Sequence, residues 1–450
     1  MIPKRPINAD VPAPEEKGKE AEKEAPESQE EKAPKKRPAK PQSDPRQPKP
    51  LAPKLLAALV VLALVFIVVA IVGSSGSEDE GASPAPAPAA APSDSGEAPA
   101  SATPEALGFP SFATVNTTRV GGPDPTANAA AAALAVFPST TPAQRPAAVT
   151  LVGEEDWAGA IAAAVLMAPP VRAPVLFSRA DELPEASEEA LAALDPRGDK
   201  STGGAAVFAV GGVALPGGAG EVTRVDSGDA ASTAAQIATL RDRLSGEPPA
   251  HVLVASSSRP DFAMPAAAWA ARSGDPVLYA EAKKLPAPTA AVLKAHPQVP
   301  VYVLGPEAAI SADVLKEIAA ISKRVKRVAG EDPVASALAL ARYRSGDFGW
   351  DVNDPGHGFV LARSDSPADA AAAAPLSAAG TWGPLLLTDD AEALPAVLRD
   401  YFLDVKPGYT SDPTRAFYNH VWIVGDGEAI SVEQQAEVNE LAELAKIGEG

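Results

Sequence analysis

The residues that could carry chemistry are few and scattered in this sequence. There is no Cys, which excludes thiolate catalysis, disulfides and Cys-ligated metal sites. No Gly-x-Ser-x-Gly motif marks a hydrolase nucleophile. The histidines form neither a His-x-x-x-His nor a Glu-x-x-His pair, the spacings that place two metal ligands on one helix face. The four histidines are His251, His296, His357 and His420.

Two further clusters resemble functional elements. Glycines cluster at 211–212 and 217–220, but no Gly-Lys-[Ser/Thr] follows, so we predict a loop there and not a phosphate site. Acidic residues cluster at 154–156 and 389–390, where general acid–base chemistry would need a partner that the sequence does not identify. The sequence therefore predicts no catalytic residue, no cofactor and no metal site. A hydrolase stays a minor alternative.

The strongest pattern is a short phrase that occurs three times, at 118–124 (TRVGGPD), 223–229 (TRVDSGD) and 326–332 (KRVAGED). Its arginines are 105 and 103 positions apart, and each copy runs into an Ala-rich stretch. A period near 100 residues is too long for a solenoid repeat and fits a small domain. The chain is therefore predicted to contain three similar modules in tandem.

Each phrase ends in an Asp where a helix is expected to begin. An Asp at this position accepts a hydrogen bond from a free backbone N–H of the first turn, and Pro125 and Pro333 have no N–H to leave unsatisfied. The Arg of each phrase could pair with this carboxylate, contact a neighbouring module or bind a ligand directly. These arginines are Arg119, Arg224 and Arg327.

Further motifs follow each phrase in the same order. An Ala-rich helix leads to a buried strand, a second Ala-rich helix, a strand that opens with Pro, a helix that starts at a Leu-Pro pair, and a strand that ends in Gly. Asp261 and Asp369 are expected to precede the second helix in modules 2 and 3. The strands are predicted at 149–152, 174–177, 207–211, 252–255, 276–279, 301–305, 359–362, 384–387 and 421–425, and the second helices at 157–167, 262–271 and 370–379.

Short apolar strands that alternate with helices are typical of an α/β fold with a mostly parallel sheet covered on both faces. We expect three small three-layer modules that meet head to tail with pseudo-threefold symmetry. Ser311 and Ser431 are expected to cap a last helix in modules 2 and 3, whereas module 1 has glycines at that point. The net charge of −19 argues against nucleic acid as a partner.

The first 111 residues differ in composition from the modules. Residues 1–54 cannot bury enough apolar surface to offset their ordering entropy, so we predict a disordered cytoplasmic tail. The uncharged apolar run at 55–73 is long enough to span a bilayer, and the basic residues before it place the N-terminus inside the cell and the remainder outside. A cleaved signal peptide is the alternative. Residues 74–111 have the composition of a Pro/Ala/Ser-rich linker.

Each module resembles the cell wall-binding repeat type 2 family, which occurs as tandem triplets in exported proteins of Gram-positive bacteria. The resemblance covers about 112–445 and rests on the order of the motifs: the Arg phrase, the Ala-rich helix, the Pro-[Ile/Leu]-Leu-Leu-like strand, the Leu-Pro helix start and the Gly-ended strand. It implies three α/β modules packed as an intramolecular trimer. It also implies non-covalent attachment to wall material, usually an anionic secondary polymer.

In the family, the apolar triplet of the Pro-[Ile/Leu]-Leu-Leu strand has been linked to polymer binding. Such triplets are also typical of buried strands, so a position in the core is the other interpretation. The Arg of each phrase is a further candidate. The candidate polymer-binding residues are Val175, Leu176, Phe177, Val277, Leu278, Tyr279, Leu385, Leu386 and Leu387, together with Arg119, Arg224 and Arg327.

We therefore expect modules at 112–221, 222–324 and 325–450 behind a transmembrane helix at 55–73. The predicted function is non-covalent binding of cell-wall polymer, either a secondary polymer or peptidoglycan, by a single-pass membrane protein that bridges membrane and wall. The family phrase usually continues Asp-Arg-Tyr, and this chain lacks the last two residues, so a protein-binding scaffold with degenerate repeats is the alternative. The exported part is expected to be a monomer with an internal pseudo-trimer.

Overall fold

A computed structural model describes residues 112–226, 228–379 and 382–447. The predicted tail, membrane span and linker at 1–111 lie outside this part of the chain. Within the described ranges, no helix has both the length and the apolar character needed to cross a membrane. All described residues fall in one compact unit, Ser95–Gly450.

Short strands alternate with helices through all three modules, as the sequence predicts. Module 1 contains β1 Phe112–Ala113, β2 Thr117–Val120, α1 Pro125–Val136, β3 Val149–Gly153, α2 Trp157–Ala163, β4 Val175–Ser178, α3 Glu185–Leu194 and β5 Val207–Val210. Module 2 contains β6 Val222–Val225, α4 Ala230–Ser245, β7 Val252–Ser256, α5 Pro260–Ser273, β8 Val277–Ala280, α6 Ala287–Ala295, β9 Val301–Leu304 and α7 Ala312–Ile321. Module 3 contains β10 Val325–Val328, α8 Pro333–Arg342, β11 Gly358–Arg363, α9 Ala368–Ala379, β12 Leu385–Thr388, α10 Ala396–Asp404, β13 Gly408–Tyr409, β14 His420–Val424, α11 Val432–Ala442 and β15 Ala445–Lys446.

Each of the three main sheets takes its edge strand from the next repeat. The strand orders are β4-β3-β5-β6, β8-β7-β9-β10 and β12-β11-β14-β2-β1, and every neighbouring pair is parallel except β1 with β2. Val225 thus pairs with Val210 of the first sheet, and Val120 pairs with Val424 of the third. The Arg phrase is therefore a strand, and its first copy completes the last sheet of the chain.

The strand order places helices on both faces of each sheet. Going from β3 to β4 moves one step along the sheet, and the path from β4 to β5 then returns past β3. Crossover connections between parallel strands are right-handed. A connection to a strand on one side of β3 therefore places its helix on one face of the sheet, and a connection that returns to the other side places its helix on the opposite face. The prediction of an α/β fold with parallel sheets is confirmed.

The second helix of each module lies at the centre of the molecule. Helices α2, α5 and α9 contact one another, and each also contacts the first helix of the following module: α2 with α4, α5 with α8, and α9 with α1. These contacts therefore run head to tail through all three modules and return to the first. Alanine allows this close approach, and Ala267, Ala371 and Ala372 at the centre are fully buried.

The helix starts follow the local signals of the sequence. Asp124, Asp229 and Asp332 each accept a hydrogen bond from a backbone N–H of the first turn, at 2.7–2.8 Å. Ser311 and Ser431 do the same for α7 and α11. These predicted caps are confirmed, as is the absence of a helix between β5 and β6 of module 1.

Two boundaries differ from the prediction. Asp261 and Asp369 lie inside the first turn of α5 and α9 and do not precede these helices. Both helices begin earlier because Pro260 is the first helical residue of α5 and Pro367 comes directly before α9. Proline suits these positions since it has no N–H to leave unsatisfied. The Asp that does cap a second helix is Asp156, which accepts from Gly159 N at 2.8 Å.

Candidate functional site

The Arg of the first phrase lies buried against module 3. Strand β2 pairs with β14 and places Arg119, which is 4% exposed, beside the loop that leads to α11. Its guanidinium donates to the carbonyl oxygens of Gly425 at 3.0 Å, Asp426 at 2.5 Å and Ile430 at 2.6 Å. Burial lowers the pKa of Arg119, and the carboxylate of Asp426 opposes that effect.

Arg327 repeats this arrangement in module 2. Its guanidinium donates to the carbonyl oxygens of Gly305 at 2.6 Å and Ile310 at 2.7 Å, in the loop between β9 and α7. Burial lowers its pKa, and Glu307 opposes the effect. The sequence leaves three roles open for the Arg of each phrase: an ion pair with the Asp, contact with a neighbouring module, or binding of a ligand. In the structure, Arg119 and Arg327 contact a neighbouring module. The Asp that closes each phrase caps its own helix instead.

Arg224 occupies a different environment because module 1 lacks its last helix. Where the other modules present a carbonyl-lined loop and a Ser-capped helix, module 1 passes from β5 to β6 through the Gly-rich segment 211–221. Arg224 is exposed and lines an open groove of about 760 Å³. Among the three arginines, it is the one whose guanidinium faces solvent.

The groove lies between β6, α4 and α6, and we call it the Arg224 groove. It is lined by Arg224, Gln236, Thr239, Arg243 and His296, among others. A carboxylate, that of Asp242, also lines it, but this group accepts from Arg241 at 3.0 Å and contacts His296 Nε2 at 2.8 Å. Two exposed guanidinium groups thus give this groove a basic character on an otherwise acidic chain.

The nine triplet residues lie in the cores of the sheets. Each is at most 1% exposed. They form β4, β8 and β12, which helices cover, and Tyr279 donates its hydroxyl to the carbonyl of Ala158 in module 1 at 2.8 Å. Burial raises the pKa of Tyr279, with Asp156 contributing in the same direction. The structure therefore does not bring the triplets and the arginines together at one surface.

The acidic clusters have structural contacts. Glu154 accepts from Thr126 Oγ1 at 3.0 Å and from Arg179 Nε at 2.8 Å. Asp390 accepts from the backbone N–H of Glu392 at 2.8 Å and so closes a turn. In the part of the chain that the structure describes, no three His, Asp or Glu side chains are grouped to hold a metal ion.

The comparison with known families matches two of the three modules. The family described as Cell wall binding domain 2 (CWB2) matches residues 224–315 and 327–435. The matched ranges lie in modules 2 and 3. The CWB2 match does not extend to module 1, but its sheet β4-β3-β5-β6 has the same strand order as the module 2 sheet β8-β7-β9-β10.

Two solved structures share the fold of these CWB2 repeats. They are Cwp8 and Cwp6 from Clostridium difficile, each 20% identical in sequence with a TM-score of 0.56. The likeness covers 73% of this chain and 52% and 47% of theirs, so the chain corresponds to about half the length of each. At this identity the likeness concerns the fold. No curated protein matches the chain.

Sequence reasoning missed the loops to which Arg119 and Arg327 donate hydrogen bonds. The signal was nonetheless present in the sequence. The last strands of modules 2 and 3 are each followed by Ala-Ile-Ser. Arg327 donates to the Ile carbonyl of this motif in module 2, and Arg119 donates to the Ile carbonyl in module 3. Module 1 lacks Ala-Ile-Ser, and Arg224 after it is exposed. The presence or absence of Ala-Ile-Ser in the preceding module would therefore have distinguished the two arginines that contact a loop from the exposed Arg224.

Proposed function

We propose that this chain binds cell-wall polymer non-covalently through its CWB2 repeats. The observation that carries the proposal is the CWB2 match over modules 2 and 3. The head-to-tail contacts of the central helices support a pseudo-threefold arrangement in which three related units act together. Several weak contacts on one rigid unit add their free energies, which suits a long repetitive polymer.

Within this proposal, the Arg224 groove is the polymer contact. Exposed guanidinium groups bind phosphate and carboxylate groups in two-pronged geometry, and Arg224 and Arg243 both line this groove. Arg119 and Arg327 then support polymer binding only by holding the modules together, since their guanidinium groups already donate hydrogen bonds to loop carbonyls. The triplets contribute by forming the strands of the core. The expected ligand is an anionic secondary polymer or an anionic part of peptidoglycan.

The experiment is a pelleting assay with purified cell-wall sacculi. A fragment of residues 95–450, the compact unit, is mixed with sacculi before and after their secondary polymers are stripped. R224E with R243E is expected to reduce pelleting strongly. K316E is the matched control, because Lys316 is an exposed cation on α7, outside the groove. Pelleting that survives stripping points to peptidoglycan, and no pelleting in any condition would refute wall binding.

We further propose that residues 55–73 anchor the chain in the membrane with the N-terminus inside, so that wall binding bridges membrane and wall. The sequence has no Cys, and single Cys residues can therefore be introduced as unique labels. S28C and S95C are exposed on intact cells to a maleimide that cannot cross membranes. Labelling of S95C alone supports the predicted topology. Labelling of both, or release of the chain into the medium, contradicts the anchor.

A further inference from the structure

Three of the five Trp residues of the chain line one pocket between modules 2 and 3. Trp269 comes from α5 of module 2, whereas Trp350 and Trp382 come from loops of module 3. The pocket has a volume of about 420 Å³, within the range of small-molecule sites. We call it the Trp pocket. None of the arginines of the three phrases, the apolar triplets or the residues of the Arg224 groove lines it.

The polar part of the Trp pocket is a connected chain of groups. Buried Asp275 accepts from Trp269 Nε1 at 2.9 Å and contacts His251 Nδ1 at 3.0 Å. The other ring nitrogen of His251 contacts Asp347 Oδ1 at 3.1 Å. His251 is 5% exposed and the Asp347 side chain 84% exposed. A buried network therefore orients one Trp ring and one exposed carboxylate at the mouth of the pocket.

The loop that carries Asp347 and Trp350 is fixed by an aromatic anchor. Phe348 is fully buried, stacks on Tyr302 with ring centroids 3.5 Å apart, and contacts Trp269 edge to face. Gly349 follows at φ +104°, where a Cβ would lie 2.1 Å from the carbonyl oxygen of Tyr343. Only glycine fits there, so the chain turns between the anchor and Trp350. The pocket wall is thus held in place before any ligand arrives.

This loop is longer than its counterpart in module 2. The segment between the first helix and the first main strand spans 343–357 in module 3 but only 246–251 in module 2. The longer segment contributes Asp347 and Trp350 to the Trp pocket. Trp382, on the opposite rim, is 57% exposed, and the guanidinium carbon of Arg272 lies 5.1 Å from its ring centroid. A large aromatic ring held at a solvent-facing rim is typical of ligand contact.

We propose that the Trp pocket binds a neutral pyranose sugar. The electron-rich face of an indole ring attracts the weakly positive C–H groups on one face of a sugar ring. Asp347 accepts hydrogen bonds from sugar hydroxyls, and Arg272 donates to their oxygens. The pocket holds two carboxylates, Asp275 and Asp347, and one guanidinium, Arg272, so it has no excess of positive charge to attract an anionic sugar.

The experiment uses three sugars that share one ring and differ in charge: glucose, glucosamine and glucuronate. Each is titrated into the 95–450 fragment by calorimetry, with Trp fluorescence as a second readout. At about 0.3 kcal/mol of binding free energy per non-hydrogen atom, a ligand of about 12 such atoms binds in roughly the millimolar range, so titrations extend to high concentration. We expect saturable binding of glucose and markedly weaker binding of glucuronate.

W382A is expected to weaken glucose binding by about tenfold, the value of one lost aromatic contact, and D347N to weaken it as well. Y418A is the matched control, since Tyr418 is 56% exposed and lies outside the Trp pocket. The proposal is overturned if glucose shows no saturation, if W382A binds as the unsubstituted fragment does, or if only glucosamine binds, which would identify a cation site. R224E should leave glucose binding unchanged, so this test and the pelleting test can fail separately.

Discussion

Arg119 and Gln435 lie at opposite ends of the described chain, yet Arg119 Nε donates a hydrogen bond to Gln435 Oε1 at 3.0 Å. Gln435 Nε2 in turn donates to Thr117 Oγ1 at 2.9 Å. Both contacts are buried, and they fasten the first parallel strand to the last long helix. Because β2 also pairs with β14 in the third sheet, the ring of modules closes through residues that are more than 300 positions apart.

Arg119 should therefore contribute to stability, and Arg224 to binding. R119A leaves the carbonyls of Gly425 and Ile430 without the donor they have in the folded chain, and each buried unsatisfied group costs about 1–3 kcal/mol. We expect R119A to lower the free energy of unfolding by about 3 kcal/mol or more in urea titrations. R224A, at an exposed site, should change it by no more than about 0.5 kcal/mol. Equal effects of the two substitutions would contradict the assignment.

The first strands should be required for a closed third sheet. A fragment of residues 123–450 lacks β1 and β2, which exposes the edge of β14. Unpaired strand edges recruit other chains, so we expect this fragment to dimerise or aggregate in light-scattering measurements, whereas 95–450 stays monomeric. A synthetic peptide of residues 112–122 should restore the monomer. A monomeric, fully stable 123–450 fragment would show that β2 is dispensable.

Much of the fold could be predicted because its signals are local. Asp124 and Ser311 cap helices through bonds to residues three positions away, and such chemistry can be recognised in a sequence. The sequence also predicts the missing helix of module 1. The partner of β2 could not be predicted, since its pairing with β14 depends on how the ring closes and leaves no nearby trace.

The candidate site was less predictable than the fold. An apolar triplet such as Val277-Leu278-Tyr279 has the same composition whether it is buried or binds a ligand, and its burial becomes visible only in the structure. The three arginines have the same local sequence context, but only the preceding module determines which of them is buried. The Trp pocket combines loops that are distant in sequence, and their approach depends on how modules 2 and 3 pack.

His251 should make stability depend on pH. Burial lowers its pKa, but the carboxylates of Asp275 and Asp347 outweigh this effect and raise it above 6.5. A group whose pKa is raised on folding stabilises the protein fully below its unfolded value, near pH 6.5, and this contribution is lost as the pH rises through the folded value. We expect the free energy of unfolding to fall over that interval. H251Q should remove this dependence, and D347N should reduce it; an unchanged slope in H251Q would contradict the prediction.

Asp369 should have a destabilising charge at neutral pH. It is 4% exposed and accepts from Asn128 Nδ2 of module 1 at 2.8 Å. Burial raises its pKa, and the hydrogen bonds from Asn128 and Ser366 only partly oppose this. Since the folded pKa is raised, the folded state gains stability as the pH falls and loses it as the carboxyl ionises.

The D369N side chain keeps an oxygen that can accept the hydrogen bond from Asn128, and it removes the negative charge. We therefore expect D369N to raise the free energy of unfolding by about 1 kcal/mol at pH 7. This gain should shrink as the pH falls through the raised folded pKa and should be absent once the pH reaches the unfolded value, about 4. Asp365 provides the control, because the hydrogen bond from Arg363 lowers its pKa. D365N should lose stability at neutral pH and should lose none in acid. If D369N were less stable than the unsubstituted chain at pH 7, the ionised carboxylate would instead hold modules 1 and 3 together, and Asn128 would be its required partner.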